Sequence, residues 1–117
     1  MYDEGLATVL SRALIPGHAA DEYLWFGPGW SQWLRDCEGG WDEIRDRLRT
    51  TMLTEDQSLF RARPGSAGGL PLRSGYYAGM RALDWVFRET GASEESMFAK
   101  SAAEVTRLME VFLAADP

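Results

Sequence analysis

The sequence predicts an all-α domain of about four main helices with several short ones, and three observations carry that prediction. Apolar residues recur at helical spacing along most of the 117 residues. No segment alternates apolar and polar side chains as a half-buried strand would. Glycine and proline gather at four places, "PG" at 16–17, "GPG" at 27–29, "GG" at 39–40 and "RARPGSAGGLPLRSG" at 61–75, and cut the chain into helix-sized pieces.

The first helix is expected from about Glu4 to Ile15. Leu6, Val9, Leu10, Ala13 and Leu14 fall on one face, Asp3 is placed to cap the start, and Pro16-Gly17 stops it. Short helical turns are expected over Asp21–Phe26 and Ser31–Asp36. The next main helix runs from about Trp41 to Met52, with Trp41, Ile44, Leu48 and Met52 as its buried stripe and Arg45, Asp46 and Arg49 on its wet side. Thr54-Glu55-Asp56-Gln57 fits a capping box, which predicts a short helix carrying Leu59 and Phe60. The glycine- and proline-rich stretch that follows reads as a loop between two helical halves of one domain, residues 1–117.

The strongest helical pattern spans about Ser74 to Thr90. Tyr76, Met80, Leu83 and Phe87 make an apolar stripe, and Tyr77, Arg81, Asp84 and Arg88 an adjacent, mostly charged one with Asp84 and Arg88 spaced as an i,i+4 pair. Gly91 is the expected stop. Ser93 caps a short turn through Phe98. Ser101 and Glu104 form a second capping box, for a last helix to about Ala114 with Val105, Leu108, Met109 and Phe112 inside.

Composition excludes several classes of function. Hydrophobic residues make up 45% of the chain, enough for a real core. Eighteen acidic against twelve basic residues leave a net charge of −6, which argues against nucleic acid and anionic membrane as partners. No apolar run reaches the roughly 20 residues of a membrane span. One cysteine, Cys37, rules out an internal disulfide, and the N-terminus has no signal-peptide pattern; a cytoplasmic domain is expected.

Chemistry-bearing patterns are sparse. Zinc favours His and Cys, and there is one of each, His18 and Cys37. Cys37 sits between Asp36 and Glu38, which disfavours a thiolate nucleophile. His18, after Pro16-Gly17, reads as an exposed loop histidine. No phosphate loop or catalytic triad can be assembled, and Gly65–Gly69 reads as a surface loop. Tyr23, Trp25, Phe26, Trp30, Trp33 and Trp41 are expected to be core for the most part, with a docking surface as the functional alternative.

Two stretches, in order, carry a resemblance. "EGLATVL" at Glu4–Leu10 and "SGYYAGMRALDWVFRETG" at Ser74–Gly91 resemble the Glu-Gly-Leu-Ala and Gly-Tyr-x-x-Gly segments of predicted zinc-dependent proteases of a bacterial domain-of-unknown-function family. "YLWFGPGW" at Tyr23–Trp30 is similar, more weakly, to the aromatic insertion between them. In that family a His-Glu-x-x-His helix upstream supplies two zinc ligands and the general base. The resemblance implies a metal-ligand role for Glu4 and a substrate-binding or oxyanion-stabilising role for Tyr76. Local physics offers plainer accounts: an acid suits the first turn of a helix, and Tyr76 lies on an apolar stripe.

This chain has no His-Glu-x-x-His. The expectation is therefore a metallopeptidase-like C-terminal half, without peptidase activity or zinc of its own. A truncation, or a metal helix on a partner polypeptide, would account for the missing part, and a peptide would be the substrate. The alternative is a non-enzymatic interaction module, as a homodimer or with another protein. No constellation supports a stand-alone enzyme with a different site.

Overall fold

A computed structural model describes residues 1–24, 30–61, 65 and 67–115. Seven α-helices follow in order among these: α1 (Tyr2–Leu14), α2 (Ala20–Tyr23), α3 (Ser31–Gly39), α4 (Trp41–Thr51), α5 (Ser74–Thr90), α6 (Glu94–Phe98) and α7 (Ala102–Ala114), with a 3₁₀ turn at Ser58–Phe60. None of the described residues is in a strand. The radius of gyration is 13.7 Å, that of one folded domain of this length.

Helix α5 is the central element. Its buried residues are Ser74, Gly75, Tyr77, Ala78, Gly79, Met80, Ala82, Leu83 and Val86, more than one stripe, so it is surrounded rather than laid on a surface. Helix α1 packs along it in the most extensive helix pair, and the 3₁₀ turn, α3, α4 and α7 close the other sides. Phe112 of α7 is fully buried, with the rings of Trp41 and Trp85 centred 5.8 and 5.9 Å away.

Several local expectations hold. Gly91 ends α5 in the left-handed conformation, its amide donating to the Phe87 carbonyl. Ser93 caps α6. At α7, Ser101 Oγ accepts the Glu104 amide at 3.3 Å while the Glu104 carboxylate takes the Ser101 amide at 2.8 Å. The Ser101 hydroxyl, which donates to the Glu104 carboxylate at 2.7 Å, and then the Ser101 amide hold that carboxyl below its ordinary range.

Others are corrected. Met1, not Asp3, precedes the first helix, and α3 runs on to Gly39. The Thr54 capping box does not form. Thr54 Oγ1 accepts the Asp56 amide, and it is Asp56 that takes the Ser58 amide at 2.8 Å to start a 3₁₀ turn. The wet side of α4 is only partly wet. Arg45 is buried and lies 3.2 Å from the Asp42 carboxylate, and Arg49 donates to the Leu113 carbonyl, tying α4 to the end of α7. Arginine can do this because its aliphatic stem packs while its head finds acceptors. On α1, Leu6 and Val9 are buried, whereas Ala13 and Leu14 are exposed beyond the edge of the core.

Candidate functional site

The site is set by one close crossing. Gly5 of α1 and Gly79 of α5 face each other, and there is no room between them for a side chain. A Cβ on Gly79 would sit 2.9 Å from the Gly5 amide nitrogen and closer still to the Met1 carbonyl oxygen; one on Gly5 would overlap the Gly79 carbonyl. Gly75 is constrained differently: a Cβ there would enter the ring of Phe60, 2.6 Å from its Cζ. Gly5 and Gly79, one from each motif segment, thus share one structural task, letting two backbones touch.

That contact brings the first turns of α1 and α5 together. Glu4 and Tyr76 line the same two depressions. One, of about 500 Å³, continues past Arg61, Phe60, Leu59, Met52 and Met109. The other, of about 350 Å³, is walled by Thr8, Ser11, Tyr23, Leu24 and Arg73. Glu4 is half-buried, and its backbone carbonyl accepts the Thr8 hydroxyl at 2.9 Å. Among the described residues no hydrogen bond or ion pair engages its carboxylate. Tyr76 is half-buried against Phe60, ring centres 5.9 Å apart, with the Arg73 guanidinium 4.4 Å above its ring.

The two tyrosines exchange the roles expected of them. Tyr77, expected on the charged stripe, is the core tyrosine, 3% exposed, edge-on to both Trp33 and Trp41. Burial raises its pKa, and its oxygen accepts from Arg81 at 3.2 Å. Arg81 lies over the Trp41 ring at 4.3 Å rather than on a solvated face. The expected Asp84–Arg88 pair is absent from the described ion pairs. Asp84 is held by both terminal nitrogens of Arg12, clasping α1 to α5, and Arg88 pairs with Glu89. A tertiary partner with two aligned donors wins over an i,i+4 neighbour.

The other candidates fall away from this cleft. Cys37 is fully buried, and its thiol is pushed up to about 12, by burial first and then by Asp36 and Glu38, so it is a packing residue. His18 is exposed, 3.5 Å from the Glu22 carboxylate and edge-on to Tyr23. Trp33 and Trp41 are core, the Trp33 indole donating to the Leu72 carbonyl at 2.8 Å, while Trp30 is half exposed. Trp25, Phe26 and Ser66 lie outside the described residues.

Zinc sites take three or more protein ligands. Among the described residues no group of three His, Cys, Asp or Glu comes together. Glu4 alone does not fit the metal, and these residues would need histidines from elsewhere to hold it.

Sequence reasoning missed Arg61 and Arg73. Arg73 is the only non-glycine residue with positive φ among those described, at +60°, directly before α5. That conformation costs a residue with a Cβ about 1 kcal/mol relative to glycine. Nothing in "PLRSG" marks Arg73 out, because its position follows from the loop closing back on Arg61, whose carbonyl accepts the Arg73 amide at 3.3 Å. The chain matches no protein-family model, no curated protein and no solved structure.

Proposed function

We propose that this chain is the helical second half of a metallopeptidase-like site, contributing Glu4 as a ligand and Tyr76 as a substrate-facing phenol. It does not hydrolyse peptides unaided. The observation that carries this reading is the Gly5–Gly79 crossing, which brings Glu4 and Tyr76, far apart in sequence, to the rim of the same two depressions. A half-buried carboxylate that takes no hydrogen bond among the described residues and feels the charge of the Met1 ammonium, beside a phenol and a cavity of about 500 Å³ of mixed polar and apolar lining, suits a peptide site awaiting its metal-binding helix. The histidines and the general base would come from a His-Glu-x-x-His segment outside these 117 residues.

The test is the coding sequence immediately upstream and its product. An extended chain bearing an in-frame His-Glu-x-x-His should bind one equivalent of zinc in calorimetry, and Glu4→Gln should weaken that binding at least about tenfold. Tyr76→Phe should lower kcat on a peptide substrate while leaving zinc content unchanged. One-equivalent tight binding by the 117 residues alone would overturn the reading, as would an extended chain whose zinc affinity ignores Glu4→Gln.

A second reading, an interaction module, draws on the exposed apolar residues. Phe98 is 60% exposed at the edge of a groove it forms with Leu6, Leu10 and Val105. A sedimentation experiment showing a dimer that Phe98→Asp disrupts would favour it.

A further inference from the structure

The chain has four tyrosines, and three of their hydroxyls are spent on the fold. Tyr2 donates to the Met97 carbonyl at 2.5 Å and Tyr23 to the Ile15 carbonyl at 2.6 Å, while the Tyr77 oxygen accepts from Arg81 at 3.2 Å. Tyr76 differs. Its ring is half-buried, yet its hydroxyl takes no hydrogen bond among the described residues.

A phenol with no bond at its tip can be fixed only through its ring. Phe60 packs against the Tyr76 ring with centres 5.9 Å apart and planes at 57°, a favourable aromatic geometry, and the Arg73 guanidinium lies 4.4 Å from the same ring centre. Phe60 reaches that place because residue 75 is glycine. A Cβ there would fall 2.5–2.7 Å from Cε1, Cζ and Cδ1 of Phe60, so a larger residue must push the ring off the first turn of α5. The glycine next to Tyr76 in sequence is thus what admits the ring beside Tyr76 in space. The 3₁₀ turn that carries Phe60 is itself set by Asp56, which takes the Ser58 amide at 2.8 Å.

We propose that Phe60, admitted by Gly75, is the positioning residue of Tyr76: it fixes the ring so that the hydroxyl stays open to the cleft as a hydrogen-bond donor for a ligand carbonyl, the acceptor that a peptide presents. The proposal rests on the reading of the cleft as a peptide site. Phe60 acts through Tyr76, and Gly75 through Phe60.

The experiment needs neither metal nor turnover, so its failure is separable from failure of the zinc reading. In the 117-residue chain with ring-¹³C tyrosine, each signal is assigned from its Tyr→Phe variant. The Tyr76 ring should show an order parameter of about 0.8 or more, and Phe60→Leu should drop it below about 0.6. Gly75→Ala should do the same with both rings still present, and the Tyr77 signal should stay unmoved in both variants. Gly75→Ala keeps the helix, which alanine favours, so it decides the matter if Phe60→Leu folds poorly. N-Acetylimidazole, which acylates accessible phenol oxygens, should modify Tyr76 about threefold or more faster than Tyr2 or Tyr23, roughly the worth of one hydrogen bond. A Tyr76 ring that is mobile in the parent, one that stays fixed in Gly75→Ala, a Tyr77 signal that moves together with that of Tyr76, or acylation of Tyr76 no faster than of Tyr2 and Tyr23 would each overturn the proposal.

Discussion

Replacing Gly79 by alanine is the sharpest test of the architecture, because two well-founded rules predict opposite signs. Glycine inside a helix is ordinarily a weakness, and Gly→Ala stabilises by up to about 1 kcal/mol. Here the added methyl would sit 2.9 Å from the Gly5 nitrogen and closer to the Met1 carbonyl oxygen. Ordinary contact between such atoms is near 3.5 Å, so α1 must move off α5 by about half an ångström or more. Both atoms it meets are backbone, so no rotamer change can relieve the overlap. Overpacking of this kind costs about 1–3 kcal/mol, and the gap it opens runs along the most extensive helix pair of the fold. With only backbone atoms to give way, the cost lies in the upper part of that range, and subtracting the propensity gain leaves a net loss of about 1–2 kcal/mol. For a domain of this size that lowers Tm by roughly 4–8 °C. Gly39→Ala is the control: its Cβ would meet nothing within 4 Å, so it should be neutral or stabilising. Urea unfolding followed by helical circular dichroism reads both. A Gly79→Ala protein as stable as the parent would refute the close crossing, and with it the argument that brings Glu4 to Tyr76.

Cys37 should resist thiol reagents at pH 8 in the folded protein and react once unfolded, since its thiol is pushed up to about 12. Because that folded value lies above the unfolded one, the contribution of Cys37 to stability is complete below about pH 9 and is lost as pH rises through 12; Cys37→Ala should flatten this part of the alkaline limb. Arg12→Ala should destabilise by only about 0.5–1 kcal/mol, because the Arg12–Asp84 pair is more than a third exposed, and the loss should shrink in high salt. Tyr77→Ala should cost about 3–5 kcal/mol, and Tyr76→Ala distinctly less, in the same urea assay; equal effects would contradict the assignment of Tyr77 to the core.

The class of fold, the helix limits to within a few residues and the caps at Gly91, Ser93 and Ser101 were determined by the sequence alone. Each rests on local chemistry: an apolar repeat of the helical period, a residue free to take positive φ, a hydroxyl that accepts an amide three residues on. The resemblance of their segments singled out Glu4 and Tyr76 as an expectation, and only the fold sets both on the same two depressions. What tertiary structure decided is which side of each helix faces inward. The stripe rule assumes one buried face, and α5 is packed on several, so Tyr77 went to the core and Tyr76 to the cleft. Likewise, Asp84 took a partner 72 residues away, and Arg45, read as wet, was buried. Arg73 entered the cleft because a loop closed behind it, and loop closure is not written in any local pattern. Periodicity reports how a helix divides its own residues, whereas the neighbours that surround it exist only after the chain has folded.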